Sequence, residues 1–415
     1  MSTVIIGAGH AGVQAAESLR TEGYADRIVL LDKAEHLPYQ RPPLSKDYIK
    51  AGGDPAPLPL RGAAFYGEHD IDLRTGVEVV RIDSQAQLVF VKGGEPIPYN
   101  ELIIAAGAEA RRAHCAGNGL EGINYLRTVE DAETLRAQLD RGYGRVVVVG
   151  AGFIGLEFAA VAAQRGLDVT VIDFAQRPMQ RVLSPSMSDY FTQVHTDLGV
   201  KLHFDEGLDH FVGEQGRVTA VAGTSGVTYP CDFAVVGLGV VTDEDLAAAG
   251  RIECDRGILV DEYLSTNVPH VYAIGDLAVF PSHHFGGNLR LESVQNATDM
   301  AKTVAKTIAG NPSRYDIAPW FWSNQGPVKL QIAGLADPAD VVIERGNRST
   351  GKFSQFLFRD GQLVAVESVN APADHVAARK LLEHDAGITM EQARDHDFDL
   401  KAYARNLSSS AMTPS

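Results

Sequence analysis

The sequence contains few cysteines, and they are not spaced as redox or metal-binding cysteines usually are. Of the 415 residues only three are cysteine, Cys115, Cys231 and Cys254, and no two of them form a C-x-x-C or C-x-x-x-x-C pair. A disulfide framework and a zinc site are therefore not expected. The chain also lacks the redox-active cysteine pair of two-electron disulfide reductases, which excludes a dithiol mechanism.

Positive charge is scarce as well. The chain has 37 Lys and Arg against 53 Asp and Glu, which gives a formal net charge of −16 at pH 7 with His neutral. This charge argues against nucleic acid and anionic membranes as partners. An acidic protein partner would need a local basic patch on such a surface.

Long apolar runs are also rare. The longest, at residues 146–163, has the length of a membrane helix, but it contains three glycines and Glu157. A buried strand followed by a crossover helix explains it better. The first predicted strand begins at residue 3, so no signal peptide is expected. The sequence predicts a cytoplasmic protein with no membrane segment and no metal site.

The first of two nucleotide-binding patterns lies at the start of the chain. An apolar run at residues 3–6 enters a G-x-G-x-x-G turn. The turn is followed by a helical pattern and then by a second apolar run that ends at Asp32. The turn includes Gly7, Gly9, His10, Ala11 and Gly12. In such a unit the glycines allow a tight turn and a close approach of a pyrophosphate, and the acid can bind a ribose diol. The pattern predicts a dinucleotide site.

The second pattern repeats this order in the middle of the chain. Residues 145–149 enter another glycine turn, and a helix and a strand ending at Asp173 follow. The turn includes Gly150, Gly152, Phe153, Ile154 and Gly155. Two complete patterns predict two dinucleotides, a flavin dinucleotide that is held permanently and a nicotinamide dinucleotide that exchanges. A duplication with one inactive site is the alternative interpretation.

Several further segments are shared with a known family. They are residues 41–46, 152–157, 275–276, 292–297 and 319–323. With them the chain resembles the oxygenase-coupled, FAD-containing ferredoxin reductases of the putidaredoxin reductase type, over about residues 3 to 405. The resemblance implies an α/β, glutathione-reductase-like flavoprotein fold with two dinucleotide-binding domains and a C-terminal α+β domain.

The domain boundaries follow from these segments. We expect a discontinuous FAD-binding domain at residues 1–109 and 240–314, an NAD-binding domain at 110–239 and an α+β domain at 315–405. Apolar runs at 218–222 and 233–236 predict two strands that complete the NAD-binding domain, and the run that starts at Val271 predicts a strand that rejoins the first sheet. In the last of these, apolar residues alternate at 328–332 and Asp360-Gly361 separates two apolar runs, which predicts a half-exposed strand and a hairpin. Residues 406–415 are expected to be disordered.

The resemblance assigns catalytic roles to two residues. It places Lys46 beside the flavin N5 edge, where a cation favours reduced flavin, and it makes Glu157 face the nicotinamide. We expect Glu157 to pair with the carboxamide or with Lys46, and a purely structural ion pair is the alternative. The only tryptophans, Trp320 and Trp322, would lie at the flavin edge and the ferredoxin-docking surface, with Phe321 on the opposite face of a strand.

The remaining contacts implied by the resemblance fall into two groups. On the FAD side they are Arg41, Val79, Gly107, Arg127, Gly275, Asp276 and Val294. On the NAD side they are Arg181 and Gly239.

The coenzyme preference depends on Asp173. A carboxylate at ~4 Å from the 2′-phosphate of NADPH would cost about 1 to 4 kcal/mol, depending on the local dielectric. Arg177 could reduce this cost if it swings toward the phosphate. Because similar arginines occur in NADH-using relatives, NADH is the expected coenzyme.

The implied activity is electron transfer from NADH to a 2Fe–2S ferredoxin that serves a monooxygenase or dioxygenase. A hydride would pass from NADH to flavin N5, and single electrons would then leave to the ferredoxin. Two alternatives stay open: a reductase of a small acceptor, such as monodehydroascorbate, and a redox sensor resembling apoptosis-inducing factor. The chain departs from the family pattern at Ala106, at Thr242-Asp243 and at Gly326.

Overall fold

The computed structural model describes residues 2–50, 52, 58–142, 144–384 and 387–410. The contacts divide the chain into two compact units. The first comprises Met1–Gln40, Pro57–Glu109 and Val240–Ile317, and the second comprises Arg41–Ala56, Ala110–Gly239 and Ala318–Ser415. The segment at 41–56, which the predicted boundaries assign to the FAD-binding domain, belongs to the second unit by its contacts.

The strands are numbered in chain order. They are β1 (Ser2–Ile6), β2 (Arg27–Leu31), β3 (Ile71–Arg74), β4 (Val79–Asp83), β5 (Leu88–Val91), β6 (Ile97–Pro98), β7 (Glu101–Ile104), β8 (Glu109–Ala110), β9 (Ile123–Asn124), β10 (Arg145–Val149), β11 (Asp168–Ile172), β12 (Lys201–His203), β13 (Leu208–Glu214), β14 (Arg217–Gly223), β15 (Thr228–Pro230), β16 (Phe233–Val236), β17 (Val240–Val241), β18 (Ile258–Leu259), β19 (Val271–Ala273), β20 (Ala278–Pro281), β21 (Asn288–Leu289), β22 (Trp320–Gln325), β23 (Val328–Gly334), β24 (Val341–Asn347), β25 (Lys352–Arg359) and β26 (Gln362–Val369).

The helices are numbered in the same way. They are α1 (His10–Thr21), α2 (Ala63–Glu68), α3 (Val129–Asp140), α4 (Phe153–Gln164), α5 (Pro185–Asp197), α6 (Asp245–Ala249), α7 (Val294–Ile308), α8 (Pro372–Glu383), α9 (Met390–Arg394) and α10 (Leu400–Ser410). Short 3-10 turns occupy Pro42–Ser45, Gly275–Leu277 and Arg348–Thr350.

The first unit is built on a parallel sheet of order β19-β7-β1-β2-β3. The strands that cross its centre are apolar along their whole length, as expected when both faces of a parallel sheet are covered. Val4, Leu30 and Ile103 are fully buried there, and α1 packs against α7. The prediction that the segment starting at Val271 rejoins the first sheet is confirmed, because β19 pairs with β7.

The second unit contains a parallel sheet of order β12-β11-β10-β16-β9. The predicted strands at 218–222 and 233–236 are both present, but they belong to different sheets. β16 pairs with β10 in the parallel sheet, whereas β14 lies in an antiparallel sheet of order β13-β14-β15. The turn before β14 explains the difference, because Gln215 and Gly216 both have positive φ and reverse the chain sharply.

The same unit ends in an antiparallel sheet of order β22-β23-β26-β25-β24. The predicted hairpin is confirmed: Asp360 and Gly361 connect β25 to β26 with φ of 51° and 80°, as the tightest hairpin turns require. The alternating strand is confirmed as β23, although only its first half alternates between buried and exposed residues. Helix α8 covers the sheet, and α10 packs on α8.

The prediction of disorder from residue 406 is wrong for residues 406–410. Helix α10 continues to Ser410, because Ala404 is buried and Leu407 packs against the core of the C-terminal sheet. A helix that buries one face is stabilised by that packing more than by its own propensity. The other residues of the predicted tail, 411–415, lie outside the described residues.

A carboxyl group is fully buried in the C-terminal sheet. Glu367, on β26, accepts hydrogen bonds from the backbone N–H of Ser184 at 2.8 Å and from the Ser184 hydroxyl at 2.5 Å. Burial raises the pKa of Glu367 to about 7, and the hydrogen bonds from Ser184 oppose this shift only in part. Arg177 lowers and Asp340 raises the same pKa through their charges.

The raised pKa of Glu367 makes stability depend on pH. Between the ordinary value of 4.5 and about 7, the folded protein keeps a proton that the unfolded chain has lost. The free energy of unfolding should therefore fall as pH rises through this window. Glu367→Gln removes the titrating group. The free energy of unfolding of this variant should therefore fall less across this pH window, by up to about 3 kcal/mol.

Urea unfolding at pH 5, 6, 7 and 8 measures the effect. The exposed Glu214 provides a matched control, so Glu214→Gln should follow the wild-type curve. Equal pH slopes for Glu367→Gln and Glu214→Gln would contradict the prediction.

Candidate functional site

The first glycine turn is closely packed at two of its three glycines. Gly7 has φ of +98°, and a Cβ there would lie 2.5 Å from the carbonyl oxygen of Ala105. A Cβ at Gly12 would overlap the carbonyl oxygen of Gly7, whereas a Cβ at Gly9 would meet no atom within 4 Å. The outer glycines are therefore needed for packing, and the middle one faces open space at the N-terminus of α1. A pyrophosphate fits such a cradle.

The second turn has the same construction. Gly150 has φ of +110°, and a Cβ there would overlap the carbonyl oxygen of Gly237. A Cβ at Gly155 would overlap the carbonyl oxygen of Gly150, while the position of Gly152 is again open within 4 Å. Each unit thus contains one cradle for a dinucleotide, which fits the two turns predicted from the sequence.

The two strand-end acids tie these turns to the neighbouring strands. Asp32 accepts the backbone N–H of Ala8 at 3.2 Å and that of Ala34 at 3.1 Å. Asp173 accepts the corresponding N–H groups of Ala151 at 2.5 Å and Ala175 at 2.8 Å. Because a carboxylate has about four acceptor positions, each acid retains capacity for a ribose diol.

Arg177 does not have the freedom that the sequence interpretation gave it. Its guanidinium donates to the Leu183 carbonyl and the Ser188 hydroxyl, both at 2.7 Å, and to the Gln180 carbonyl at 3.2 Å. Swinging toward a 2′-phosphate would break these three hydrogen bonds. In this structure Arg177 therefore holds the loop after Asp173 together.

Other predicted NAD contacts lie around the second turn. A Cβ at Gly239 would lie 3.6 Å from Nη2 of Arg181, so this exposed guanidinium reaches the end of the parallel sheet. Ile154, on the first turn of α4, is 45% exposed although it is apolar. Phe153 instead packs edge-on against Phe321, with ring centroids 4.6 Å apart.

The predicted pair of Lys46 and Glu157 is present. Lys46 Nζ lies 2.7 Å from Glu157 Oε2, and only 13% and 2% of the two side chains are exposed. The hydroxyl of Ser45 donates to Glu157 Oε2 and that of Ser323 donates to Oε1, both at 2.5 Å. The Pro42–Ser45 turn directs both Ser45 and Lys46 toward α4. Of the two partners expected for Glu157, the structure shows Lys46.

Predicted FAD contacts in the first unit meet at the N-termini of α1 and α7. Gly275 has φ of +81°, and a Cβ there would lie 3.1 Å from the Cβ of Ala11. Asp276 follows, and its carbonyl oxygen accepts from Arg290 at 2.9 Å. Val294 is the first residue of α7, so its backbone N–H has no partner within the helix.

Three further predicted FAD contacts belong to the first unit. His10 begins α1, Gly107 has φ of +70° beyond β7, and Val79 begins β4 in a separate antiparallel sheet. In the second unit, Arg41 donates to the carbonyl of Arg127 at 3.0 Å. That bond places Arg41 and Arg127 together beside the N-terminus of α3.

Comparison with known proteins agrees with this geometry. The family model described as pyridine nucleotide-disulphide oxidoreductase matches residues 1–301, and a model described as reductase C-terminal matches residues 320–404. The chain is 46% identical over 407 residues to rhodocoxin reductase of Rhodococcus erythropolis, covering 98% of this chain and 95% of that protein. It is 34% identical over 405 residues to putidaredoxin reductase of Pseudomonas putida, covering 96% of both. The chain belongs to the FAD-dependent ferredoxin reductase family.

Solved structures of ferredoxin reductases superpose on this fold. A ferredoxin reductase from Rhodopseudomonas palustris gives a TM-score of 0.95 at 45% identity, covering 97% of this chain and 99% of that one. The covalent complex of putidaredoxin reductase with putidaredoxin gives 0.92 at 32% identity, covering 100% and 99%. The predicted glutathione-reductase-like α/β fold with a C-terminal domain is confirmed.

The matching family model is named after disulphide oxidoreductases, but the three cysteines of this ferredoxin reductase form no disulfide pair. Cys115, Cys231 and Cys254 are free. Burial raises the pKa of each thiol, and that of Cys231 reaches about 12. The reactive thiolate form is therefore disfavoured at all three positions. Among the described residues, the reductase has no helix with the length and apolarity to span a membrane.

The tryptophan motif of the reductase lies on β22 as expected. The rings of Trp320 and Trp322 are 5.8 Å apart on one face of the strand, and Phe321 points to the other face toward Phe153. The guanidinium of Arg379 lies 4.1 Å from the centroid of the Trp320 ring. The predicted separation of the two faces is confirmed.

Sequence reasoning missed the polar residues that surround Glu157. Ser45 and Ser323 lie within the segments of family resemblance, but no role was assigned to them. Gln325 and His195 are fully buried and continue the hydrogen-bonded group from Ser323. The available signal was alternation on β22, since residues 321, 323 and 325 share the face of the strand that packs on α4.

Proposed function

We propose that this protein is an NADH:ferredoxin reductase that supplies electrons to a monooxygenase or dioxygenase system. The observation that carries the proposal is the buried ion pair between Lys46 and Glu157, formed on the helix that follows the second glycine turn. A cation fixed in this way stabilises negative charge that develops beside it. The relatives named rhodocoxin reductase and putidaredoxin reductase support the same activity.

The proposed FAD-binding domain comprises residues 1–109 and 240–314, and Lys46 is one of the proposed FAD contacts. The first glycine turn and the N-terminus of α1 bind the pyrophosphate, and Asp32 binds the ribose. The N-terminus of α7 at Val294 stabilises negative charge on the flavin pyrimidine. When bound, FAD accepts a hydride from NADH and releases its electrons singly. The other proposed contacts are His10, Ala11, Arg41, Val79, Gly107, Arg127, Gly275, Asp276 and Trp320.

The proposed NADH site uses residues 110–239. The second glycine turn binds the pyrophosphate, Asp173 binds the adenosine ribose and Arg181 adds positive charge. Glu157 and Ile154 orient the nicotinamide. The hydride step needs no protein acid or base, so the contribution of these side chains is orientation and electrostatics. The other proposed contacts are Gly150, Gly152, Phe153, Gly155 and Gly239.

The proposed preference for NADH rests on Asp173, since Arg177 is held by three hydrogen bonds. Asp173→Asn removes the negative charge and keeps the side-chain size. We expect the ratio of kcat/KM for NADH over NADPH to fall about tenfold or more. Asp168→Asn is the matched control, because Asp168 begins the same strand and pairs with Lys201 in solvent. An unchanged ratio in Asp173→Asn would show that the preference has another origin.

The proposed partner is a 2Fe–2S ferredoxin that docks near Trp320 and Trp322. Both rings are partly exposed on one face of β22, and Arg379 adds positive charge beside Trp320. Aromatic residues and arginine are enriched at protein interfaces. The relative captured as a covalent complex with putidaredoxin supports a partner of this kind. A cytoplasmic location is part of the proposal.

The test is NADH-dependent reduction of cytochrome c by the FAD-loaded protein, with and without a 2Fe–2S ferredoxin. We expect a large rate increase that saturates with ferredoxin. Trp322→Ala should raise the half-saturating ferredoxin concentration about tenfold, as for an interface residue that carries about 1.4 kcal/mol. Flavin reduction by NADH without acceleration by any ferredoxin would contradict the proposal. A small organic acceptor or a sensor role would then be favoured.

A further inference from the structure

A buried chain of hydrogen bonds leads to the carboxylate of Glu157. His195 Nε2 lies 3.0 Å from Gln325 Oε1, and Gln325 Nε2 donates to the Ser323 hydroxyl at 2.8 Å. The Ser323 hydroxyl in turn donates to Glu157 Oε1. Ser323, Gln325 and His195 are at most 1% exposed. These hydrogen bonds therefore join α5, β22 and α4 through the interior of the second unit.

A backbone carbonyl fixes the direction in which the hydrogen bonds of this group donate. Gln325 Nε2 also lies 3.3 Å from the carbonyl oxygen of Phe153, and a carbonyl can only accept. The amide nitrogen must therefore face Phe153 and Ser323, which turns Oε1 toward His195. His195 then donates from Nε2. All hydrogens along the chain point toward Glu157.

The protonation state of His195 agrees with this direction. Burial lowers the pKa of His195 to about 4, and the hydrogen bond to Gln325 opposes the shift only in part. The ring is thus neutral near pH 7, with its proton on Nε2. Among the described residues its buried Nδ1 has no hydrogen-bond partner, as expected for a nitrogen that keeps a lone pair in an apolar environment.

We propose that Ser323, Gln325 and His195 form a positioning relay, which holds the Glu157 carboxylate directed at Lys46. The relay rests on the proposed function, because it acts through Glu157. Ser323 occupies Oε1, so that Oε2 is left to Lys46 and Ser45. Aligned hydrogen bonds polarise one another, and three donors on one carboxylate stabilise its charge where water is largely excluded.

The geometry at Glu157 makes the relay testable. Loss of the Ser323 donor would leave Oε1 of Glu157 without that hydrogen bond, and the carboxylate would be free to turn away from Lys46. The negative charge of the carboxylate would also be offset by fewer donors.

The test is Ser323→Ala, which removes the donor with little change in volume. We expect the single-turnover rate of flavin reduction by NADH to fall about tenfold, the effect of one hydrogen bond to a charged group. The flavin midpoint potential, measured by dye equilibration at pH 7.5, should fall, because the negative charge of Glu157 loses a hydrogen-bond donor that offsets it. Ser323→Thr, which keeps the hydroxyl, should restore both.

Two reference variants separate the outcomes. Ser368→Ala removes a buried hydroxyl of the same sheet that bonds to Ser354, and its rate should stay within twofold of the wild type. Glu157→Gln should be slow. If Glu157→Gln is slow but Ser323→Ala equals Ser368→Ala in rate and potential, the relay is wrong and the proposed role of Glu157 stands. If Glu157→Gln has no effect, that proposed role fails as well.

Discussion

Lys46→Met is expected to lower the free energy of unfolding by about 3 to 5 kcal/mol, because it leaves the buried carboxylate of Glu157 without its cation. The Glu157 side chain is only 2% exposed, so water cannot replace the lost partner. Hydrogen bonds from Ser45 and Ser323 persist, and they place the expected loss toward the lower end of this range. Urea unfolding at pH 7.5 measures it.

A double-mutant cycle identifies the origin of this loss. Lys46→Met with Glu157→Gln removes both charges, and the combined variant should be more stable than Lys46→Met alone. Lys50→Met is the matched control, because Lys50 pairs with Asp47 in solvent and such pairs contribute at most about 1 kcal/mol. If Lys46→Met is as stable as Lys50→Met, the ion pair does not stabilise this fold.

The same substitution should also slow flavin reduction by NADH. The positive charge of Lys46 is proposed to lie where negative charge develops, and removing one such group commonly costs about 10²-fold in rate. Lys201→Met is the control for the rate and should leave it unchanged, since Lys201 pairs with Asp168 in solvent and has no part in the proposed sites. A normal rate in Lys46→Met would remove Lys46 from the catalytic group.

Gly155→Ala is expected to lower both stability and NADH binding. Its Cβ would overlap the carbonyl oxygen of Gly150, which is backbone and cannot rotate away. The overlap can be relieved only if α4 moves away from β10. Overpacking of this kind typically costs about 1 to 3 kcal/mol of stability. Urea unfolding and fluorescence titration with NADH measure the two effects.

Gly152→Ala is the matched comparison, and it should separate the two effects. Its Cβ would meet no protein atom within 4 Å, so the free energy of unfolding should stay within about 0.5 kcal/mol of the wild type. The methyl group would occupy the space where the backbone approaches the pyrophosphate. We expect NADH affinity to fall about tenfold or more. Normal NADH binding by Gly152→Ala would show that the pyrophosphate lies elsewhere.

The two dinucleotide turns and the strands that lead into them follow from local patterns in the sequence. The spacing of Gly7, Gly9 and Gly12 requires a particular backbone path, and the structure shows the overlaps that exclude side chains at the outer two. The apolar runs before each turn are buried strands for the same local reason. The hairpin at Asp360-Gly361 could be predicted from its own two residues, because both tolerate positive φ.

The contacts of Arg177 could be learned only from the fold. The pairing of β14 was missed for a local reason: the run at 218–222 predicted a strand, but the turn at Gln215 and Gly216 that folds it onto β13 was not recognised. Arg177 appeared free to reach a phosphate, since nothing in the sequence shows that the chain returns at Leu183 and Ser188 to accept its hydrogen bonds. A side chain's partners depend on the path of the surrounding loop.

The surroundings of Glu157 show most clearly which contacts depend on the fold of the whole unit. The sequence placed Glu157 on the second-turn helix and offered Lys46 as one of two partners. Ser45 and Ser323, which lie 112 and 166 positions away, appear only when the Pro42–Ser45 turn and β22 pack against α4. A buried carboxylate needs donors on several sides. Local patterns specify the helix that carries it, whereas the donors come from distant segments that meet only in the folded core.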